Sequence, residues 1–514
     1  MLPRRWQVAI LSAAAFAFLS KILLALNTWG TNDVYAWERF AHWSALFGSR
    51  LYTIDPAFNH PPSMIHVLAA MTWLAKTTGI FFPFWLRLPA ILADAASLWV
   101  VFRIFAARLD EPAVRWGLFL MAISPALILV SGFHGNTDPV VMFFVLLAVC
   151  QTRESARDWA SGAAFGAAMC IKILPLIVLP ALFFARPGLR RRAIFLASAA
   201  AVMVVCWSPY LFRDPVAIFH QVLGYQSIYG HWGLSWLVCH LTFFRDSWHD
   251  AFQNYGSWVV LAVIATAAFI VNRRPEKPSV YAQTGAALFL FLAAASGFGV
   301  QYLAWLVPWT VGLEIIPVAF FTAASGAFLL AVYNFWSGGF PWYLADSNYV
   351  GDFTPHLDYL LTVCWLSVIA LVWSAYKQMS RQNLPFPTLR TRILWSALAI
   401  PILAYPLWNQ VVRVDARTYP PSTDHTALQT IHAHEYAMLS QKYDALGRDK
   451  EAVVAARTGV ALDPTLLEAW NNLTRACIQL GRWDEALNAA DNAARIAPDD
   501  ETANANLAEL QSHR

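Results

Sequence analysis

The sequence predicts an all-α polytopic membrane protein with a small helical-repeat domain at its C-terminal end. Of its 514 residues, 58% are hydrophobic and only 13% are charged, whereas soluble domains contain about 25% charged residues. Long apolar runs fill residues 1–411, and a polar, alanine-rich segment with an internal repeat follows them. A chain this apolar can satisfy its surface only in lipid.

Charge and cysteine content exclude several other classes of protein. The net charge of +4 is too small to indicate a nucleic acid partner. The six cysteines are scattered and form no CxxC pair, so the sequence indicates neither a disulfide framework nor a zinc site. The first apolar run follows Arg4 and Arg5 and lacks a small-residue cleavage site. It is therefore interpreted as an uncleaved first membrane span rather than a signal peptide.

The apolar runs predict about thirteen membrane spans, several of them short. They lie at residues 7–26, 87–107, 113–131, 139–151, 159–172, 173–185, 193–210, 257–271, 280–297, 302–313, 315–333, 357–376 and 393–410. Clusters of arginine and lysine separate many of these runs, and placing all the clusters in the cytoplasm gives one consistent threading. The N-terminus is then cytoplasmic, and the outer side receives the loops at 27–86, 132–138, 211–256 and 334–356 and everything after about residue 411.

Two apolar segments need a different interpretation. Residues 61–79 are apolar enough to span, but counting them as a span reverses the charge asymmetry of every later loop, so an interfacial or re-entrant helix is predicted there. The pair 159–172 and 173–185 is flanked by predicted cytoplasmic arginines, so the chain must enter the membrane through one segment and return to the cytoplasm through the other. Each segment covers only about 20 Å of a bilayer core of about 30 Å. The turn between them, with Lys172, is therefore predicted to lie below the outer surface and to line a cavity.

The C-terminal segment contains two units related by an offset of 34 residues. The matching pairs are Leu446-Gly447 with Leu480-Gly481, Ala452 with Ala486, and Pro464 with Pro498. This pattern resembles the tetratricopeptide repeat (TPR), in which paired helices stack into a solenoid. The predicted organisation is a membrane domain at 1–411, a linker at 412–428 and an extracytoplasmic repeat domain at 429–512. Assembly with a protein partner is the favoured role of the repeats, and acceptor recognition is the alternative.

Polar residues concentrate on the predicted outer side of the membrane domain, where a functional site is expected. Asp33 follows the first span, and His60-Pro61-Pro62 ends the same loop. The next outer loop, 132–138, contains His134, Asn136 and Asp138, and Lys172 lies in the sunken turn. Structural roles remain open for each of them. Asp33 and Asp138 could cap the helices that they precede, Lys172 could snorkel to the interface, and His60 and His134 could be hydrogen-bonded fixtures rather than metal ligands.

The order of these motifs resembles the GT-C superfamily of membrane glycosyltransferases, which use polyprenyl- or dolichyl-phosphate sugars. The matching features are the acidic residue after the first span, a His-Pro-Pro step, a Gly-Asn-x-Asp motif and a Lys-x-x-Pro turn. They correspond to Asp33, His60-Pro61-Pro62, Gly135-Asn136-Thr137-Asp138 and Lys172 with Pro175. Residues 298–302 also look like a late segment that carries a histidine in the dolichol-dependent enzymes, and Gln301 takes that position here.

This resemblance implies an inverting transfer of a hexose, mannose-like by family default, on the extracytoplasmic side. Asp33 would be the catalytic base. The donor phosphate would meet Lys172, with His60 and Gln301 as weaker candidates, and the substrates would contact His134, Asn136, Asp138 and Tyr302. The chain has no glycine-rich phosphate loop and no dinucleotide-binding fingerprint, which agrees with a lipid-linked donor rather than a nucleotide sugar.

A resident cofactor is not expected. Asn32-Asp33 supplies one carboxylate where some GT-C enzymes have paired acidic residues, and one carboxylate binds Mg²⁺ or Mn²⁺ poorly without help. The sequence therefore predicts metal-independent activity, with a divalent metal as the less favoured alternative. The expected partners are the lipid bilayer, the polyprenyl-phosphate sugar, an unidentified lipid, glycan or protein acceptor, and a protein bound by the repeats.

Two other classes of membrane protein compete with the enzyme. A transporter would carry internal repeats in its membrane part and polar residues near the bilayer midplane, but no such repeat is evident here. A non-catalytic scaffold that presents the repeats would not explain why Asp33, Asp138 and Lys172 face one compartment. A compact chain without N-x-S/T sites in its outer membrane loops favours a bacterial inner membrane, with the repeats in the periplasm.

Overall fold

The computed structural model describes residues 2–55, 57–152, 157–212, 215–224, 228–240, 246–337, 339–340, 342–345, 355–380, 433–434, 436–441, 443–444 and 447–512. Contacts divide the chain into two compact units, Met1–Arg417 and Thr418–Arg514. The predicted span at 393–410 and the predicted linker at 412–428 lie outside the described residues.

The first unit is built almost entirely of helices. Its α-helices are α1 (Arg4–Asn27), α2 (Asn32–Phe47), α3 (Leu51–Ile54), α4 (Ser63–Thr78), α5 (Phe82–Ile104), α6 (Pro112–Ala122), α7 (Pro125–Leu129), α8 (Asp138–Gln151), α9 (Asp158–Met169), α10 (Leu179–Phe184), α11 (Leu189–Leu211), α12 (Pro215–Leu223), α13 (Gly233–His240), α14 (Asp246–Val271), α15 (Val280–Ala294), α16 (Leu303–Leu306), α17 (Ile315–Trp336) and α18 (Pro355–Met379). A π-helical turn (Val130–His134) continues α7, and short 3-10 turns occupy Leu174–Ile177, Val300–Tyr302 and Val307–Trp309.

Two pairs of very short strands join segments that are distant in sequence. β1 (Gly30–Thr31) runs parallel to β4 (Leu344–Ala345), and β2 (Ile228–Tyr229) runs antiparallel to β3 (Gly297–Phe298). β1 and β4 are far apart in the sequence, and their pairing holds the segment after α1 beside the segment after α17.

Seven helices among the described residues are long and apolar enough to cross a membrane. They are Arg4–Asn27, Phe82–Ile104, Pro112–His134, Leu189–Leu211, Trp248–Val271, Ile315–Trp336 and His356–Met379. The predicted count of about thirteen is therefore not reproduced. The predicted runs at 139–151 and 280–297 are short apolar helices. The run at 302–313 is not one span but α16 flanked by two 3-10 turns, where Pro308 interrupts regular helical hydrogen bonding.

Helix α9 packs closely on α11 through two small residues. Gly162 and Gly166 are four residues apart, and a side chain at either would collide with a backbone carbonyl of α11, at Phe195 or Ala199. This is the small-xxx-small contact that brings membrane helices together. The tight packing matters for function because the twelve residues of α9 lead directly to the turn that carries Lys172.

One fully buried arginine joins three segments of the first unit. Arg87 of α5 donates hydrogen bonds to the carbonyl oxygens of Thr28, Trp29 and Gly132, at 2.5, 3.0 and 2.9 Å. Its planar guanidinium presents several donors in fixed directions, which suits it to this task. The end of α1 and the π-turn are thereby fastened to α5.

A buried ion pair fastens the same segments two helical turns deeper. Lys21 of α1 donates to Asp94 of α5, both side chains being 6% exposed, and the Ser131 hydroxyl donates to the same carboxylate oxygen at 2.6 Å. Arg87 and Asp94 are seven residues apart, so they lie on one face of α5. That face therefore holds both α1 and the π-turn.

We expect the loss of one charge and the loss of both charges of this ion pair to affect stability differently. Asp94→Leu leaves the Lys21 ammonium buried without its partner and should lower the free energy of unfolding by about 3–5 kcal/mol. Lys21→Met/Asp94→Leu removes both charges and should recover most of that loss. Thermal unfolding in nanodiscs measures both. A double variant no more stable than Asp94→Leu would contradict this interpretation.

The second unit contains successive helices that repeat locally. They are α19 (Asp449–Leu462), α20 (Leu467–Gln479), α21 (Trp483–Ile496) and α22 (Glu501–Ser512). Gly447 and Gly481, 34 residues apart, both adopt a left-handed conformation, with φ of 66° and 67°. Ala452 and Ala486, at the same offset, are both fully buried. The repeated letters of the sequence therefore correspond to repeated local geometry, with glycine supplying the positive φ of each turn.

Candidate functional site

The first predicted residue, Asp33, is positioned by the chain that leaves α1. Gly30 has a φ of 113°, and a side chain there would collide with the carbonyl oxygen of Phe133. The Thr31 hydroxyl donates to the carbonyl oxygen of His134 at 2.8 Å and accepts from the Asp33 amide at 3.3 Å. Thr31 therefore caps α2, and the alternative that Asp33 caps this helix is wrong. The Asp33 side chain is left available for other contacts.

Among the described residues, the hydrogen bonds to the Asp33 carboxylate all reach one oxygen. Oδ2 accepts a hydrogen bond from Asn136 Nδ2 at 3.0 Å and lies 3.0 Å from His134 Nε2. The part of the chain that the structure describes gives no hydrogen bond to Oδ1. The side chain is 32% exposed, so a ligand in the site could reach this oxygen.

The environment of Asp33 favours the ionised carboxylate. Burial alone raises the pKa of Asp33, but the electrostatic interaction and hydrogen bond with His134, the hydrogen bond from Asn136 and the charge of Lys172 together outweigh it. The resulting pKa of Asp33 lies below its ordinary value. A carboxylate with this pKa is ionised at neutral pH and can accept a proton.

His134 connects Asp33 to a tyrosine that the sequence analysis did not single out. Its Nδ1 lies 3.0 Å from the hydroxyl of Tyr333, on α17, while Nε2 faces Asp33. His134 is 3% exposed and ends the π-turn, and Gly135 follows it with a φ of 80°. Such π-turns inside helices occur frequently at functional sites.

Asn136 links the first carboxylate to a second one. Its amide nitrogen donates to Asp33, and its Oδ1 accepts from the backbone amide of Asp138 at 3.3 Å. The Asp138 side chain is fully buried, and its Oδ1 accepts a hydrogen bond from Lys172 Nζ at 2.8 Å. Asp138 begins α8, but its side chain serves this ion pair rather than a cap. The Lys172 ammonium is thus held by a buried carboxylate.

Lys172 reaches into the cluster over an aromatic wall. Its Nζ lies 5.7 Å from the centroid of the Tyr302 ring, and Tyr302 stacks on Trp305 with centroids 3.9 Å apart. The segment that carries Tyr302 is anchored by Phe298, which stacks on Trp232 at 4.0 Å. An ammonium group has three donors, so Lys172 can hold Asp138 and still donate to a ligand.

His60 lies beside this cluster in a pocket of aromatic rings. Its ring centroid is 4.2 Å from that of Trp37, and the charges of Lys172 and Asp33 both act on it. Burial, followed by the charge of Lys172, lowers the pKa of His60 to about 3. The imidazole is therefore neutral at pH 7 and could assist a phosphate only by hydrogen bonding, not by charge.

Gln301 is the predicted site residue that the described contacts do not connect to the cluster. Its side chain folds back over Gly299, where it would obstruct any side chain at that position. It precedes Tyr302 in the Val300–Tyr302 turn. The contacts of Gln301 thus leave its predicted phosphate-binding role without a structural argument.

No group of three or more histidine, cysteine, aspartate or glutamate side chains in the described ranges could hold a metal ion. Both ring nitrogens of His134 face protein partners, Nε2 towards Asp33 and Nδ1 towards Tyr333. The donors that surround Asp33 are instead a histidine, an amide and an ammonium, all of which suit an anionic carboxylate without a metal.

The cluster thus joins the ends of helices that alternate in direction through the apolar unit. Asp33 follows α1, His134 ends the span that begins at Pro112, Asp138 begins α8 and Lys172 follows α9. Residues 58–296 match the family model of glycosyltransferase family 87. The chain is a membrane glycosyltransferase. No curated protein matches its sequence.

The matched segment of this glycosyltransferase contains most of the cluster. His60, His134, Asn136, Asp138 and Lys172 lie within residues 58–296, whereas Asp33, Tyr302 and Tyr333 lie outside. Contacts in the folded protein join the two groups. Asp33 is hydrogen-bonded to His134 and Asn136, and the Tyr302 ring faces the Lys172 ammonium.

Sequence reasoning missed the groups that support the site of this glycosyltransferase. Tyr333 lies among other aromatic residues near the end of a uniformly apolar span, and nothing local distinguishes it. Lys21, Arg87 and Asp94 were detectable, because a charged residue inside an apolar span is costly and calls for a partner. They were absorbed into the predicted spans 7–26 and 87–107 instead.

Proposed function

We propose that this glycosyltransferase moves a hexosyl group, mannose-like by family default, from a polyprenyl-phosphate sugar to an acceptor hydroxyl on the extracytoplasmic face, with inversion. One observation supports this most strongly. A carboxylate with a depressed pKa and an available Oδ1, Asp33, belongs to the same hydrogen-bonded cluster as a partly buried ammonium, Lys172. Inverting transfer needs a base at the acceptor and positive charge at the leaving phosphate.

In the proposed reaction the acceptor hydroxyl attacks the anomeric carbon of the donor in a single displacement. The bond from that carbon to the acceptor oxygen forms while the bond to the phosphate oxygen breaks, and its electron pair leaves with the phosphate. The acceptor proton passes to Oδ1 of Asp33. Asn136 and His134 keep Oδ2 occupied, so the proton is directed to the other oxygen.

Lys172 is proposed to stabilise the negative charge that grows on the departing polyprenyl phosphate. Its pairing with Asp138 fixes where the ammonium points. Donors that are already oriented need no reorganisation during the reaction, which is why such electrostatic stabilisation is effective. Tyr302 and Trp305 are proposed as an apolar wall against which a sugar ring can pack.

A lipid-linked donor fits the position of the cluster at the ends of apolar helices. Seven described helices have the length and composition to cross a bilayer, so a substrate with a long isoprenoid chain can remain in lipid while its phosphate reaches Lys172. We propose that the site faces the periplasm of a bacterial inner membrane, with the N-terminus in the cytoplasm. The charge clusters of the sequence support that orientation.

We propose the second unit as a TPR module that binds a protein partner or helps to present the acceptor. The repeated glycine conformation and repeated buried alanines support the repeat interpretation. Helix pairs of this kind form extended binding surfaces.

A donor panel in nanodiscs tests the proposed function. The purified protein is offered polyprenyl-phosphate sugars and, in parallel, nucleotide sugars, with a membrane lipid extract as acceptor. We expect release of polyprenyl phosphate and formation of a glycosylated product with at least one lipid-linked donor. Product formed only with nucleotide sugars would overturn the proposed donor class. If folded protein forms no product with any donor, the result would count against the proposed lipid and glycan acceptors.

We expect the activity to be independent of divalent metal. The single carboxylate at Asn32-Asp33 and the ammonium beside it are unfavourable for a dication. Transfer rates should therefore be unchanged, within about twofold, in excess EDTA. Loss of activity in EDTA and its recovery with Mn²⁺ but not with Na⁺ would contradict the prediction.

A further inference from the structure

A hydrogen-bonded line runs from the proposed base, Asp33, through His134 to Tyr333, and Tyr333 has no role in the chemistry described so far. His134 lies between the other two, 3.0 Å from Asp33 Oδ2 and 3.0 Å from the Tyr333 hydroxyl. Both His134 and Tyr333 are buried. The backbone of His134 is fixed as well, because its carbonyl oxygen accepts from Thr31, next to Asp33 in sequence.

We propose that His134 and Tyr333 are positioning residues that hold Asp33 with Oδ1 directed at the acceptor hydroxyl. The inference rests on the proposed function, since it concerns the same base. It assigns His134 a role different from direct substrate binding, and it adds Tyr333 to the site.

The direction of the hydrogen bonds follows from the chemistry of the two ends. A tyrosine hydroxyl at 3.0 Å can donate to Nδ1 of a neutral imidazole, which places the ring proton on Nε2. Nε2 then donates to the ionised Asp33. The opposite tautomer would direct a nitrogen lone pair at a carboxylate oxygen and would be repelled. Tyr333 therefore selects the tautomer that binds Asp33.

Proton transfer then uses the two carboxylate oxygens differently. The acceptor O–H bond breaks as the acceptor oxygen bonds to the anomeric carbon, and the proton binds Oδ1. Oδ2 keeps its hydrogen bonds from His134 and Asn136 throughout. Asp33 is partly exposed, so the proton can return to water after the product leaves.

Among the residues that the structure describes, four titratable groups act on Asp33 from the elements packed around it. His134 belongs to the π-turn, Lys172 follows α9, His60 precedes α4, and Tyr333 belongs to α17. Among them, His134 makes the largest contribution that opposes burial, and Lys172 makes a smaller one that Asp138 partly neutralises. Without His134, burial should raise the pKa of Asp33.

The pH profile of transfer distinguishes this role from simple packing. Transfer requires ionised Asp33, so activity is present above its pKa and is lost as the pH falls through it. The wild type should keep a constant kcat down to about pH 5, since its Asp33 has a depressed pKa. His134→Leu should lose activity within the range of about pH 5–7, an upward shift of about one pH unit or more. His134→Gln, which keeps a donor, should restore part of the lost rate.

Tyr333→Phe tests the second member of the line with a matched control. It should lower kcat by about tenfold with little change in KM, because the tautomer of His134 is no longer selected. Tyr281→Phe removes another buried tyrosine hydroxyl, which donates to the carbonyl oxygen of Pro308 in the Val307–Trp309 turn. It should leave kcat within about twofold of the wild type and lower stability by a similar amount to Tyr333→Phe.

The outcomes separate this inference from the proposed function. An inactive wild type would be a failure of the proposed function. An active wild type with an inactive Asp33→Asn, but a folded His134→Leu whose acid limit equals that of the wild type, would overturn the positioning role alone. Equal kcat values for Tyr333→Phe and Tyr281→Phe would overturn the part assigned to Tyr333.

Discussion

Asp33→Asn is expected to lower the rate of glycosyl transfer by about 10³-fold or more, toward the upper end of what general base catalysis contributes. The asparagine side chain has nearly the same shape and can still accept hydrogen bonds from Asn136 and His134. It cannot take up the acceptor proton. The initial rate of product formation in nanodiscs, with the donor saturating, measures the effect, and KM for the donor should change little.

A control in the same loop separates lost chemistry from lost structure. Asp55 is another buried aspartate before α4, and it pairs with Arg39 at 3.0 Å. Asp55→Asn should lower thermal stability but reduce kcat by less than about tenfold, because none of the described contacts of Arg39 and Asp55 reaches the cluster. Equal losses in Asp33→Asn and Asp55→Asn would mean that the loop needs its carboxylates for folding, and Asp33 would lose its assigned role.

Lys172→Met is expected to reduce kcat by about 10²–10³-fold, the loss typical of removing one group that stabilises transition-state charge. Methionine keeps much of the apolar stem but not the ammonium. The same change leaves the fully buried Asp138 carboxylate without its partner, so stability should also fall, by about 3–5 kcal/mol. Rates and thermal unfolding must therefore be measured together.

The double variant Lys172→Met/Asp138→Asn separates these two effects. It removes both charges, so most of the lost stability should return while kcat stays low. Recovery of kcat to near the wild-type value would show that Lys172 only neutralises Asp138, and the phosphate would need another cation.

The sequence carried enough information for the membrane class and for much of the cluster. Asp33, His134, Asn136, Asp138 and Lys172 are polar residues in an apolar background, and such residues at helix ends stand out because burying them is costly. Their contacts were not predictable: the hydrogen bond from His134 to Tyr333 joins residues 199 positions apart. A tyrosine near the end of an apolar span is far more often an interfacial or packing residue.

The helix count was predictable only in part, for a physical reason. An apolar run of 12 to 14 residues can be a short span, half of a re-entrant pair or an irregular segment buried in protein, and periodicity alone does not separate these. The run at 302–313 became short turns around Pro308, whereas the run at 139–151 became the helix α8. Hydrophobicity reports that a segment is buried, but not whether protein or lipid surrounds it.

The stereochemistry of a single transfer tests the central claim most directly. A donor labelled with ¹³C at the anomeric carbon is turned over by the wild-type protein in nanodiscs, and the configuration of that carbon in the product is determined by NMR, with the released polyprenyl phosphate quantified in parallel. We expect inversion at that carbon and the release of one polyprenyl phosphate for each sugar transferred. Retention of configuration would contradict a single displacement in which Asp33 acts as the base.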